Sequence, residues 1–177
     1  QRILKTTVQE TGSRTQTQQV IYLPGLELHS GKENYQVICA GVAGRAQVRL
    51  LYWPDGKKDH QRFSYDNLIG SSGLETDGDG KLLSQEEYYP FGGTAVLVAD
   101  ADSGIDYKTH RYSGKERDAT GLYYYGYRYY QPWAGRWLSS DPAGTVDGLN
   151  LYSMVRNNPV SFSDEQGLVA YPRTQIP

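Results

Sequence analysis

A mostly β fold of short strands joined by tight turns, with one short helix near the C-terminal end, is what these 177 residues predict. Three observations carry that expectation. Between Thr6 and Ala95, apolar and polar residues alternate in short runs such as Gln47–Tyr52 and Gln61–Tyr65, the period of strands with one sheltered face. Twenty Gly and eight Pro demand frequent chain reversals. From Arg111 to Gly144 the chain is dense in Tyr, Trp, Gly and Arg, and half of the sixteen Tyr fall between Tyr107 and Tyr130. Gly114, Gly121, Gly126 and Gly135 punctuate that run as turns between stacked strands would, and Tyr124, Tyr127, Tyr129, Trp133 and Trp137 supply flat faces with polar edges.

The strand-rich first part is broken by Pro54-Asp55-Gly56, Gly70-Ser71-Ser72-Gly73 and Asp77-Gly78-Asp79-Gly80, all turn chemistry. The last contains DxDG, but the later Glu and flanking helices of a calcium loop are missing, so a hairpin turn is expected. Cys39, between Ile38 and Ala40, reads as a buried strand thiol; as the single Cys it excludes an internal disulfide and a multi-cysteine zinc site. Ala99–Tyr107 is small, acidic and turn-rich, a loop or insertion, and Asp118 reads as a turn acid before Gly121. Asp147 as N-cap, Leu149, Tyr152 and Val155 near helical spacing, and Asn157-Asn158-Pro159 as a stop predict a short helix over Leu149–Arg156. Beyond Val160 both periodicities fade.

Only 38% of the residues are hydrophobic, so burial is spread over many small strands, as in a solenoid-like wrap. A formal charge of −2 gives no electrostatic footprint for nucleic acid. No apolar run approaches the about 20 residues of a membrane span, so no direct membrane insertion is expected. The N-terminus QRILKTTVQE lacks the apolar core of a signal peptide, and the chain reads as a fragment. His29, His60 and His110 form no metal-ligand spacing, and neither metal nor cofactor is implied.

The motifs from Phe63 to Ala95, from Arg111 to Gly144 (RYSGKERDATGLYYYGYRYYQPWAGRWLSSDPAG) and from Asp147 to Pro159 (DGLNLYSMVRNNP), with YLPGLEL and AGRAQVRLLYW, resemble the Rhs or YD-repeat proteins. They look most like the C component (TccC type) of bacterial Tc insecticidal toxin complexes. The resemblance implies a β-ribbon wrapped as the closing end of a hollow shell. Residues 1–98 would be YD-repeat shell strands, 99–107 a loop or insertion, 108–168 the Rhs-associated core, and 169–177 the start of a variable cargo. It further implies a secreted toxin complex whose partners are the B component, an upstream YD-repeat shell and an enclosed C-terminal toxin polypeptide, with a translocation component involved indirectly.

Members of this family cut the enclosed polypeptide from the core by an aspartyl-protease-like self-cleavage, a single turnover in cis. Carried onto this sequence, the acid in DPAG is Asp141. Two carboxyl groups sharing one proton are needed, so that one activates water while the other protonates the amide carbonyl. Asp147 is the nearest second carboxylate in sequence, although helix capping alone would also explain it. Arg128 in GYRYY holds an acid's charge or grips a substrate carbonyl through its planar fork, or else merely stacks between Tyr faces. The family's DPDGL cleavage motif matches Asp164-Glu165-Gln166-Gly167-Leu168, placing the scissile bond between Leu168 and Val169, with Glu165 where Pro is usual and Gln166 where Asp is usual. Two other readings remain: a non-catalytic encapsulating scaffold, in which nothing is cut, and a carbohydrate-binding aromatic β-module.

Overall fold

The structure, a computed structural model, describes residues 2–12, 14–43 and 46–173. Residues 174–177, in the expected cargo segment, lie outside the described residues. The chain divides into two compact units, Gln1–Tyr65 with Glu75–Leu82, and Asp66–Leu74 with Leu83–Pro177. Composition divides it elsewhere, at 98 and 107.

In the first unit β1 (Leu4–Thr11), β2 (Arg14–Leu23), β3 (Leu26–Ser30), β4 (Tyr35–Ala43), β5 (Ala46–Tyr52) and β6 (His60–Asp66) form an antiparallel meander, each paired with its sequence neighbour. Because side chains alternate between faces, the register puts Val20, Glu27, Val37, Arg49, Leu51 and Arg62 on one face, and all are buried. Ile21, Leu23, Ile38 and Tyr52 share the other face and stay exposed. The sheltered face is therefore partly ionic. Arg62 meets Glu75 at 2.7 Å, Glu27 is 2.9 Å from His29 and 3.6 Å from Arg49, and His29, Tyr35 and Trp53 stack in a row that His60 meets edge-on.

This face also corrects the expectation for Cys39. Its thiol is only partly buried and points at the Glu27 carboxylate, 3.9 Å away, because its neighbours across the strands are Glu27 and Arg49 rather than apolar side chains. Burial, then the Glu27 charge, pushes the thiol pKa up. The DxDG segment is the expected turn: Asp77 Oδ1 accepts the backbone N–H groups of Asp79 and Lys81.

Two further strands, β7 (Ser72–Thr76) and β8 (Leu82–Tyr88), have residues in both units. In the second unit β8 pairs with β9 (Thr94–Ala99) across the turn Tyr89–Gly93. Four minimal strands follow as one antiparallel sheet, β10 (Glu116–Arg117), β11 (Tyr123–Tyr124), β12 (Tyr129–Gln131) and β13 (Arg136–Trp137), then the pair β14 (Phe162–Ser163) and β15 (Tyr171–Pro172). Their core is Tyr112, Tyr123, Tyr125, Tyr130, Trp137, Met154, Val155 and Ala170. Tyr127 and Trp133, expected to stack within the ribbon, are exposed instead, at the outer bends of turns.

Tyrosine rather than phenylalanine fills this core for a reason visible in the turn Pro90-Phe91-Gly92. Its three carbonyl oxygens accept hydrogen bonds from the hydroxyls of Tyr112 (2.7 Å), Tyr130 (2.7 Å) and Tyr123 (3.3 Å). Buried backbone acceptors need such donors. Burial pushes the Tyr112 and Tyr123 hydroxyls up to about 12 and that of Tyr130 higher still. A Cβ on Gly92 would lie 2.6 Å from the Tyr112 ring, so this turn requires glycine.

The short helix expected over Leu149–Arg156 does not form. Leu149, expected on its apolar face, is 92% exposed, and the backbone at Val155, Arg156 and Asn157 has positive φ, which no right-handed helix contains. In its place is a tight turn, Val155–Asn157, with left-handed φ values of 40°, 55° and 57°. Left-handed backbone costs about 1–2 kcal/mol per residue, and β-branched Val155 is the least suited to it. Among the described residues the helical stretches are three-residue 3-10 turns, and no helix is long and apolar enough to cross a membrane.

Glu86 on β8 is fully enclosed, 3.1 Å from both Lys108 Nζ and Arg111 Nη1, and accepts a hydrogen bond from Thr94 at 2.7 Å. Burial raises its carboxyl pKa, but the Thr94 bond and the two cations outweigh burial and hold it below its ordinary value. A depressed carboxyl stabilises the fold above its unfolded pKa and loses that contribution as pH falls through the folded value. Glu86→Ala, which leaves two cations facing each other, should cost about 3–5 kcal/mol in urea titrations at neutral pH. The deficit should shrink as pH drops below the carboxylate range.

Candidate functional site

The second unit gathers its ionisable groups around Arg128, which sits between the turn at Gly126-Tyr127 and β12. Its side chain is buried against the Trp137 ring, with the guanidinium carbon 4.2 Å from the ring centroid. Nη2 contacts Asp141 Oδ2 at 2.8 Å and Asp164 Oδ2 at 3.7 Å. Nε donates to Gly167 O at 2.7 Å and Nη1 to Leu151 O at 3.3 Å. The charge-holding and stacking roles read from the sequence thus coincide, except that the stacked ring is Trp137 rather than Tyr. Burial pulls the guanidinium pKa down, and Asp141, then Asp164, oppose it.

Asp141 opens the DPAG turn: Oδ1 accepts the Ala143 N–H at 2.8 Å and leaves Oδ2 for Arg128. Asp164 is the residue that sequence reasoning passed over except as the first letter of a motif. Its Oδ1 accepts three backbone N–H groups, from Gln166 (3.0 Å), Gly167 (2.6 Å) and Leu168 (3.2 Å), so it builds the loop before the expected scissile bond. Burial raises its pKa against the pull of those bonds and of Arg128. The second carboxylate on the guanidinium of Arg128 is therefore that of Asp164.

Asp147 lies elsewhere on the same segment and caps no helix. Oδ1 pairs with Arg156 at 3.0 Å, and Oδ2 accepts the Ala170 N–H at 2.7 Å. The left-handed turn at Val155–Asn157 presents Arg156 to it.

Three consecutive carbonyls of the loop are held as well: Glu165 O by Lys115 Nζ (2.9 Å), Gln166 O by the Tyr127 N–H (3.0 Å) and Gly167 O by Arg128. Beyond the bond, Ala170 is fixed by Asp147. The Leu168 carbonyl and the Val169 N–H between them make no hydrogen bond among the described residues. One peptide unit is left unheld between two held flanks. Among the described residues, no three His, Cys, Asp or Glu side chains cluster as metal ligands would.

The chain is similar to toxin subunit YenC2 of Yersinia entomophaga, 62% identical over 179 residues that cover 95% of this chain and 18% of that protein. Toxin subunit YenC1 of the same organism is 58% identical with the same coverage. The crystal structure of TcdB2-TccC3 superposes with a TM-score of 0.87 at 61% identity, over 94% of this chain and 8% of that one. A more distant likeness is to the tRNA3(Ser)-specific nuclease WapA of Bacillus spizizenii, 35% identical over 67% of this chain and 5% of that protein. No family model matches. The chain thus spans under a fifth of the length of the curated toxin subunits it matches.

Gly167 has φ +78°, and a Cβ there would lie 3.2–3.4 Å from Arg128 N, Tyr125 Cβ and Arg128 Cβ. Gly167→Ala should lose about 1–2 kcal/mol from the left-handed backbone alone and more from the crowding. Thermal denaturation should show the lower stability, and amide exchange should show the loss concentrated in Gln166–Leu168.

Proposed function

Since the chain belongs to the Rhs/YD-repeat cores of the Tc toxin C-component type, we propose that it is the C-terminal core of a toxin-encapsulating shell that cuts itself once, in cis, between Leu168 and Val169. The peptide released would be the enclosed toxin. The B component is the proposed partner, since the solved neighbours pair TcdB2 with TccC3; an upstream YD-repeat shell and, indirectly, a translocation component complete the proposed assembly. It would act as a secreted complex.

The observation that carries this reading is the unheld Leu168–Val169 peptide, flanked by a loop tied to Asp164 and Arg128 and by Ala170 tied to Asp147. In the proposed step the Asp141 carboxylate takes a proton from water as its oxygen attacks the Leu168 carbonyl carbon. Asp147, released from Arg156 and protonated, gives its proton to the carbonyl oxygen and takes it back as the intermediate collapses to the Leu168 carboxyl group. The C–N bond then breaks, and Val169 N leaves as an amine carrying the proton held by Asp141. Arg128 orients Asp141 and Gly167, and Asp164 organises the loop. Because bond and acids share one chain, their effective concentration is high without a substrate pocket.

The scaffold reading also has an observation in its favour. Both oxygens of Asp141 already have structural partners, the Ala143 N–H and Arg128. For carbohydrate binding, Tyr127 and Trp133 are the exposed faces of the aromatic run, while Tyr123, Tyr125, Tyr130 and Trp137 are enclosed.

Intact-mass measurement of the purified chain over time tests self-cleavage. Asp141→Asn is expected to abolish the fragment ending at Leu168 while the fold persists; Asp147→Asn should slow it by about a hundredfold or more. Asp164→Asn keeps an oxygen for the three N–H groups and should cut more slowly only insofar as Arg128 shifts. The wild-type rate should not depend on protein concentration. Cutting of Asp141→Asn at Leu168 in a protease-free sample would leave the scaffold reading standing. A fragment ending at Asp141 would mark only the acid-labile Asp141–Pro142 bond.

A further inference from the structure

We infer that Lys115 is a positioning residue for the cleavage loop, offsetting the absence of proline at position 165. Its part in cutting rests on the self-cleavage reading, whereas its grip on the loop rests on geometry alone. Proline fixes φ at one narrow value, so a loop that carries it is partly set before any contact forms. Glu165 has no such restriction, and the loop must be set from outside.

Lys115 is built to do that. It follows Ser113 and Gly114, both left-handed at φ 53° and 64°, and its backbone is fixed on both sides: its N–H donates to Tyr112 O, and its carbonyl accepts the Arg111 N–H. The side chain is 17% exposed and crosses the Tyr125 ring, with Nζ 5.4 Å from the centroid. From there Nζ donates to the Glu165 carbonyl at 2.9 Å and to Glu165 Oε2 at 3.2 Å. The Glu165 side chain is 65% exposed, so the ion pair by itself is screened and weak. The bond to the carbonyl is the one that sets the backbone, and the carboxylate gives the same ammonium a second hold that proline would not offer. With Tyr127 on Gln166 O and Arg128 on Gly167 O, Lys115 completes the run of held carbonyls leading to Leu168.

The test compares wild type, Lys115→Met, Glu165→Pro and the double variant as full chains, by intact mass over time and by amide exchange at Gln166, Gly167 and Leu168. Lys115→Met should slow cutting at Leu168–Val169 about tenfold, the scale of a small misplacement of reacting groups, and speed exchange of the three amides. Adding Glu165→Pro should restore both, because proline supplies the restriction that the lysine supplied; a general loss of stability would not be relieved this way. Wild-type cutting and exchange in Lys115→Met, or slowed cutting that proline leaves unrelieved, would overturn the assignment. If Lys115→Met does not fold, Lys115→Gln, polar but one atom shorter, decides: faster exchange of the same amides supports the clamp on the Glu165 carbonyl, and unchanged exchange overturns it. If wild type is never cut, the self-cleavage reading fails, and the exchange of Lys115→Met still decides whether the clamp exists.

Discussion

The buried guanidinium of Arg128 is the constraint on which the second unit turns. A cation withdrawn from water is tolerated only when its N–H groups and its charge are answered. Here the answers come from three separate stretches of the sequence: Asp141, Leu151 and the loop that carries Asp164 and Gly167. Removing the guanidinium would therefore release the DPAG turn and the loop before Leu168 together. Trp137 supplies the remaining face, and its own ring is fixed edge-on by Tyr125 and Tyr130. The aromatic core thus reaches the acids through one side chain. The raised pKa of Asp164 comes from its burial, which outweighs its three N–H bonds and the pull of Arg128.

The same logic explains how so small a set of two- and three-residue strands holds its shape. Such strands contribute few ladder bonds, so backbone groups in the intervening turns must be satisfied by side chains. Tyrosine does this while filling volume: Tyr112, Tyr123 and Tyr130 bury their rings and end on the carbonyls of Pro90–Gly92. Asparagine and aspartate serve the remaining turns, as with Asn67 Oδ1 on the N–H groups of Ile69 and Ser71. A phenylalanine at any of the three positions would keep the packing and strand a carbonyl.

Much of this was legible in the residues. Alternation located β5 and β6, and Gly spacing located the turns around β10 to β13, because both signals are local. The expected helix failed where the signal was local but the outcome was tertiary: Leu149, Tyr152 and Val155 have helical spacing, yet the core takes Met154 and Val155 and bends the chain left-handed to do so. Cys39 looked buried from its neighbours along the strand, whereas its environment is set by Glu27 and Arg49 across the sheet. For the site, Arg128, Asp141 and Asp147 were readable as residue types in a motif, but which acid meets which cation depends on turns brought together from distant parts of the chain. Lys115 gave no signal, since its partner at position 165 is fifty residues away.

A cut made once within its own chain relaxes the usual demands on an active site. No cleft for entry or exit is required, since the bond is part of the fold, and closed ion pairs are acceptable as long as one peptide stays accessible to water. What such a site does require is rigidity on both sides of that peptide, because slack in either flank moves the carbonyl away from the acids. The two flanks are secured by different means. The upstream loop is held by an aspartate collecting three N–H groups and by three donors on successive carbonyls. The downstream side is held by the Ala170 N–H on Asp147, by the β14–β15 pairing and by Arg173, which bonds Ser161, Pro159 and Ile69. On the self-cleavage reading the downstream flank belongs to the piece that leaves. Once the Leu168–Val169 bond is gone, the piece beyond it is still tied to the core by the Ala170–Asp147 contact, the β14–β15 pairing and the bonds of Arg173 to Ser161, Pro159 and Ile69, so release requires those bonds to be given up as well.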